Sequence, residues 1–276
     1  MTNANKPKII YHYTTKEGLI GIFKNKSLWM TKIHYLNDAS ELTRPLSMAR
    51  DFLKSILTEM GKKTLNVSNN NKGINKMIGD IEEWENINLC VASFCTNGNL
   101  LSQWRGYGTF GSAYSIGFDV EEIEKSLPKN DFELSPCKYY TNQEYEEEIK
   151  RFILITMEES GKNKNATENF VGRLIRKAAL MKLDCFREED EWRIVSWMPR
   201  SYSAKEFNFR AGKSMLIPFY ELSLNPLSIM EVIVGPTQHS DLTKSAIMGM
   251  SYKFGIENIS KNEKNVKISG IPFRVF

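Results

Sequence analysis

The sequence predicts an α+β fold with largely antiparallel, twisted sheets and flanking helices. Two observations carry this. Segments with strand-like patterning recur along the chain without the regular alternation with helices that a parallel sheet requires. No internal repeat is visible, so a solenoid or propeller is excluded. The 276 residues are read as a single α+β domain, 1–276, with a flexible polar insertion near 62–76.

The first element is a strand over 8–13, followed by a helix over 15–26 whose Leu19, Ile22 and Phe23 share one face. Thr14 and Glu17 stand three residues apart, the spacing of a capping box, so the helix is expected to begin directly after His12. "SLWMTKIHYLNDASEL" gives a second extended piece, a turn at Asn37-Asp38 and a helix with Leu42, Ala49, Phe52, Leu53, Ile56 and Met60 inward. Residues 62–76 are polar and Asn-rich with little to bury, and read as a surface loop.

"INLCVASFC" and "SAYSIGFD" read as strands, the second with Tyr114, Ile116 and Phe118 on one face. Between them lies "TNGNLLSQWRGYGTFG", a Gly- and aromatic-rich loop able to bring backbone close to a ligand. Residues 132–140 are expected extended, and 143–160 and 166–183 helical. Strands follow at 191–197, 205–210, 213–219 and 229–234, then a helix capped near Ser240 or Asp241, and a closing strand in "VKISGIPFRVF".

Composition narrows the function classes. Hydrophobic residues make up 41% and charged residues 25%, as in an ordinary globular protein, and no run of about 18 apolar residues could span a membrane. The N-terminal MTNANKPK lacks a signal-peptide core, which argues for a cytoplasmic protein. Cys90, Cys95, Cys137 and Cys185 fit neither a metal pattern nor a disulfide framework, and read as reduced, buried thiols. The net charge of +4 is uneven: residues 1–80 carry 13 basic and 6 acidic groups, and residues 81–150 carry 5 and 13. That imbalance does not by itself establish nucleic-acid binding.

The common catalytic plans are missing. There is no GxSxG elbow, no GxGxxG or P-loop, and the three histidines, His12, His34 and His239, are scattered, which argues against a metal site. Three segments collect the reactive groups: "HYTT", "SQWRGYG" and "EEDEWRIV". In a strand, residues two apart share a face, so Glu189, Glu191 and Arg193 would point one way, with Trp192 and Ile194 toward the core. The bland alternative is an exposed edge carrying a Glu-Arg pair.

"YHYTTKEGLIGIFKNKSLWMTKIHYLNDASEL", "SFCTNGNLLSQWRGYG…YSIGFD", "FREEDEWRI", "EVIVGP" and "SGIPFR" together resemble a widespread bacterial family of uncharacterised proteins, from about residue 9 to the end. More distantly, "HYTT…GLIGIFKNKSLW" is similar to the start of ADP-ribosyltransferase-like proteins such as DNA-targeting ADP-ribosyltransferase toxins and RNA 2′-phosphotransferases. The order His, aromatic segment, Glu matches the His-Tyr-Glu arrangement of that superfamily.

The resemblance implies NAD as co-substrate, no metal, and a nucleic-acid or protein acceptor. It implies that His12, with Tyr13 and Thr14, contacts the adenosine side or its ribose, and that Trp104 or Tyr107 stacks on nicotinamide, with Tyr114 a further alternative. Arg105 would meet the pyrophosphate, with Arg193 also near, and Glu191 would be catalytic, with Glu189 as competitor. Toxin or phage-defence biology is the setting it suggests. Two alternatives stand beside it: a non-catalytic sensor module binding a nucleotide, protein or nucleic acid, and an RNA 2′-phosphotransferase-like enzyme.

Overall fold

The computed structural model describes residues 6–36, 40–63, 68–84, 88–107, 113–128, 131–162, 170–196, 206–212 and 214–272. It is an α+β fold with a large, mainly antiparallel sheet and helices on both faces. The N-terminal part runs β1 (Ile9–Thr15), α1 (Lys16–Asn25), β2 (Ser27–Lys32), α2 (Ser40–Lys63), α3 (Ser68–Glu82), β3 (Cys90–Cys95), α4 (Leu101–Tyr107), β4 (Ala113–Asp119) and α5 (Val120–Ser126). The middle holds β5 (Phe132–Pro136), β6 (Lys138–Tyr140), α6 (Asn142–Lys162), α7 (Phe170–Ala178), β7 (Met181–Leu183) and β8 (Glu191–Ser196). The rest comprises β9 (Asn208–Ala211), β10 (Leu216–Ser223), β11 (Ile229–Val234), α8 (Ser240–Phe254), α9 (Glu257–Ser260) and β12 (Val266–Ile268).

The sheet forks. Strand β8 pairs with β3 along its length, from Cys95 opposite Glu191 to Val91 opposite Val195. The other edge of β3 is shared: β1 meets it at Cys95, opposite Tyr11, and β2 meets it at Val91 and Cys90, opposite Thr31 and Lys32. Strands β1 and β2 therefore part from opposite ends of one strand. One branch continues through β1, β4, β11 and β12, the other through β2, β10 and β9. The backbone edge of Ala92–Phe94 faces the gap between the branches.

Alternation along the strands separates two large cores. Ile10, Phe94, Ile116, Phe118 and Ile194 point to the face covered by α1, α5, α8 and α9. Val91 and Val195 point to the other face, where Leu46, Leu53, Met77, Ile149, Phe170 and Leu174 pack from α2, α3, α6 and α7. A third cluster of Tyr13, Cys95, Trp104, Ala113 and Ile233 lies beneath α4.

Several expectations need correction. The polar run 62–76 is helical from Ser68, because Ile74, Met77 and Ile81 recur at helical spacing and bury against α2 and α7; residues 64–67, like Asn37-Asp38, lie outside the described residues. The "SQWRGY" segment is helix α4, anchored by buried Trp104, not a loop; the glycines after Tyr107 lie outside the described residues. The expected helix 166–183 stops at Ala178 and the chain turns into β7. The cap of α1 is Thr15, whose hydroxyl accepts from the Gly18 amide at 3.3 Å, so the Thr14–Glu17 box does not form. Strand β8 lies between β3 and β5, so the exposed-edge reading of its Glu-Arg pair fails. Three cysteines are buried, but Cys185 is exposed. Among the described residues no helix is long and apolar enough to cross a membrane.

Candidate active site at the fork of the sheet

His12 stands where β1 leaves β3. Its ring packs against Phe94 at 5.8 Å between centroids, and Nδ1 is 2.9 Å from the Ser93 carbonyl oxygen. A carbonyl only accepts, so Nδ1 carries the proton and Nε2 is left as the acceptor. Burial pushes the imidazole pKa down, the Ser93 carbonyl opposes this, and Arg210 adds to the lowering. The ring is therefore neutral at pH 7 and able to accept a hydrogen bond from a ligand hydroxyl.

His12, Tyr13, Thr14, Thr31, Ser93, Tyr107 and Arg210 are among the lining of a cavity of about 410 Å³ in the fork. A second cavity of about 350 Å³ is lined by residues including Tyr11, Tyr13, Ser93, Tyr107, Lys182, Glu189, Glu191 and Arg193. Each is in the size range of small-molecule sites. The two share Tyr13, Leu36, Ser93 and Tyr107, so they adjoin at the gap in the sheet.

Tyr11, Cys95 and Glu191 lie side by side on three neighbouring strands. Two strand spacings put the backbones of Tyr11 and Glu191 about 10 Å apart. His12, adjacent to Tyr11, and Glu191 are thus at the same end of the sheet. Alternation sends His12 to the face opposite Glu191, so the two side chains line different cavities that meet at the gap between the branches.

Glu191 is only 4% exposed and heavily bonded. Arg193 Nε donates to its Oε1 at 2.6 Å, and Arg193 Nη2 and Lys182 Nζ donate to its Oε2 at 3.1 and 2.6 Å. Lys182 also reaches Glu189 at 2.5 Å and Glu41, from the first turn of α2, at 3.4 Å. Arg193 donates to Glu41 at 2.8 Å and to the Ala179 carbonyl at 2.8 Å. Burial pushes the Glu191 carboxyl up, but Arg193 and then Lys182 outweigh it and hold it at about 2. Burial alone would lower Lys182 and Arg193; Glu191 and the other carboxylates raise both. A carboxylate offers about four acceptor positions. Among the described residues three are taken, which leaves one on Oε1.

Glu189 reaches this cluster differently from the expected strand alternation. It ends a 3-10 turn over Asp184–Glu189, and Asp190 follows with φ of 38°, a left-handed conformation that aspartate tolerates. That reversal takes Glu189 off β8, and Lys182 draws its carboxylate back toward Glu191.

The aromatic and Arg-bearing segment divides. Trp104 is 2% exposed, its indole donates to Asn99 Oδ1 at 2.9 Å, and it lines neither cavity, so it is a core residue with no face open to nicotinamide. Tyr114 lines neither cavity and packs beside the first core. Arg105 is exposed on α4 and also outside both linings, which argues against its phosphate role. Tyr107 is 38% exposed, lines both cavities and stacks on Tyr13 at 6.4 Å; partial loss of solvent, then Glu191, push its pKa up to about 12. Tyr13 donates from its hydroxyl to the Asn97 carbonyl and accepts from the Leu100 amide, which ties α4 to β1. Thr14 is buried in the wall of the fork cavity.

Glu41, Lys182 and Arg210 went unrecognised in the sequence. A lysine inside the apolar "LMKLDCF" is the available signal, since four acids at 188–191 need countercharge beyond one arginine.

No curated protein matches the sequence. Among solved structures the chain is similar to Thermus sp. 2.9 DarT in complex with ADP-ribosylated ssDNA, at 10% identity and a TM-score of 0.35, over 95% of this chain and 94% of the other. Residues 103–194, from α4 through most of β8 and including Tyr107, Lys182, Glu189, Glu191 and Arg193, match the family model described as a protein of unknown function, DUF2971.

Proposed function

We propose that the fork cleft binds NAD and that the protein is an ADP-ribosyltransferase-like enzyme. The observation that supports this reading best is that the two cavities share four wall residues at the gap, with His12 lining one and Glu191 the other. In this reading His12 Nε2 accepts from a ribose hydroxyl on the adenosine side, with Tyr13 and Thr14 forming the wall. Tyr107 presents its ring to nicotinamide, and Arg193 orients Glu191. Glu191 Oε1 uses its remaining acceptor position for the 2′-hydroxyl of the nicotinamide ribose.

The reaction follows. The bond from C1′ to the nicotinamide nitrogen breaks, its electron pair leaves with nicotinamide, and C1′ becomes oxocarbenium-like. A fixed negative charge beside the 2′-hydroxyl stabilises that cation, as in glycoside cleavage. An acceptor oxygen or nitrogen, from a nucleic acid or protein, then bonds to C1′ and releases its proton. Holding Glu191 at about 2 keeps it ionised at neutral pH, which the role requires.

A second reading is a nucleotide-binding module without catalysis. One observation favours it: two cations already share the Glu191 charge. The test is to incubate the protein with NAD and measure nicotinamide, with and without DNA, RNA and protein acceptors. Wild-type release that His12→Ala and Glu191→Gln abolish supports the enzyme. Wild-type inactivity with every acceptor supports the binding module.

A further inference from the structure

Arg210, on β9 opposite Ile217 of β10, projects into the fork cavity from the branch that does not carry His12. Its Nη2 donates to Thr31 Oγ1 at 3.1 Å, while its buried Nε has no hydrogen-bond partner. Among the described residues no carboxylate pairs with it. The cations of the neighbouring cavity, Lys182 and Arg193, are each held by at least two carboxylates. Arg210 is thus a half-buried positive charge with an orphaned donor.

A guanidinium does not escape that cost by losing its proton. The desolvated charge is relieved by an anion that accepts from the guanidinium N–H groups facing the cavity, as a phosphate oxygen does. The rest of the cavity wall suits such a ligand. Thr14, Thr15 and Thr31 supply hydroxyls, and His12 is neutral and does not compete for the anion. The one carboxylate in that lining, Glu17, lies in the first turn of α1.

We propose that Arg210 is the anion-binding residue of the cleft, gripping a phosphate or pyrophosphate group of the ligand whose ribose lies against His12. The identity of that ligand as a nucleotide rests on the reading above; the anion site does not.

Calorimetric titration with inorganic pyrophosphate, ADP-ribose and phosphate-free adenosine tests it on wild type and on Arg210→Gln, Arg210→Lys and Arg105→Gln, all checked for folding by circular dichroism. Arg210→Gln should weaken pyrophosphate and ADP-ribose by at least about tenfold, as for loss of a charge-assisted bond, and leave any adenosine affinity within about twofold. Arg210→Lys, which keeps charge but loses the fork, should fall between, and Arg105→Gln should match wild type. Pyrophosphate affinity unchanged in both Arg210 variants overturns the proposal, as does wild type that binds neither pyrophosphate nor ADP-ribose. Pyrophosphate binding that depends on Arg210 in a protein releasing no nicotinamide supports the anion site while the NAD reading fails.

Discussion

His12 Nδ1 and the Ser93 carbonyl oxygen, 2.9 Å apart, join β1 to β3 at the point where β1 and β2 diverge. A side chain replaces the ladder hydrogen bond that the fork removes. This explains a histidine at the end of an apolar strand: it closes the sheet edge with one nitrogen and leaves the other as an acceptor.

Replacing His12 by alanine orphans that carbonyl. A buried acceptor left unsatisfied costs about 1–3 kcal/mol. The urea midpoint should drop accordingly, and NAD binding should weaken beyond what the stability loss explains.

The cluster of Glu41, Glu189, Glu191, Lys182 and Arg193 holds three carboxylates and two cations. Lys182→Met leaves three acids facing one cation and should cost about 3–5 kcal/mol, as for a broken buried pair. Glu189→Gln leaves two of each sign and should cost less. Urea unfolding of the two variants gives the order directly, and equal midpoints would contradict it.

Acid should destabilise the protein in two stages. His12 has a lowered pKa in the folded state, so the unfolded imidazole takes up its proton first; this stability is complete above about pH 6.5 and lost below it. Glu191 is held at about 2, so its contribution is complete above about pH 4.5 and lost as pH falls toward 2. His12→Ala should remove the first stage and keep the second, as read from thermal midpoints across the range.

Two glycines should answer oppositely to alanine. A Cβ at Gly235 would come within 2.8 Å of the Ala113 carbonyl and 3.0 Å of the Trp104 ring, and such overpacking costs about 1–3 kcal/mol. Gly249 lies exposed in α8 with nothing within 4 Å, so alanine there should add roughly 0.5–1 kcal/mol through helix propensity. Thermal unfolding of the two variants distinguishes them.

Local pattern made part of this legible. The apolar runs of β1 and β11 and the alternation in β4 reveal themselves because each strand has an unbroken hydrophobic face. Helix α3 was hidden by its Asn-rich first turns, whose apolar residues begin only at Ile74. Helix α4 was hidden by the glycines around it, although Trp104 is what anchors it. The site was half visible: His12, Tyr107 and Glu191 lie in conspicuous motifs. Glu41 and Lys182 became partners only through tertiary packing, and Arg210 sits in "FNFRAGK", where no spacing marks it. The fork itself is a property of pairing, which no single strand encodes.

In the proposed reaction Glu191 acts on the reacting ribose and is more than a buried ion-pair partner. Measuring nicotinamide release and NAD affinity together in Glu191→Gln tests this most directly. Release should fall about 10²–10³-fold while the Kd for NAD changes by only a few-fold, the pattern of an interaction made in the transition state. Release at the wild-type rate by the folded variant would contradict it.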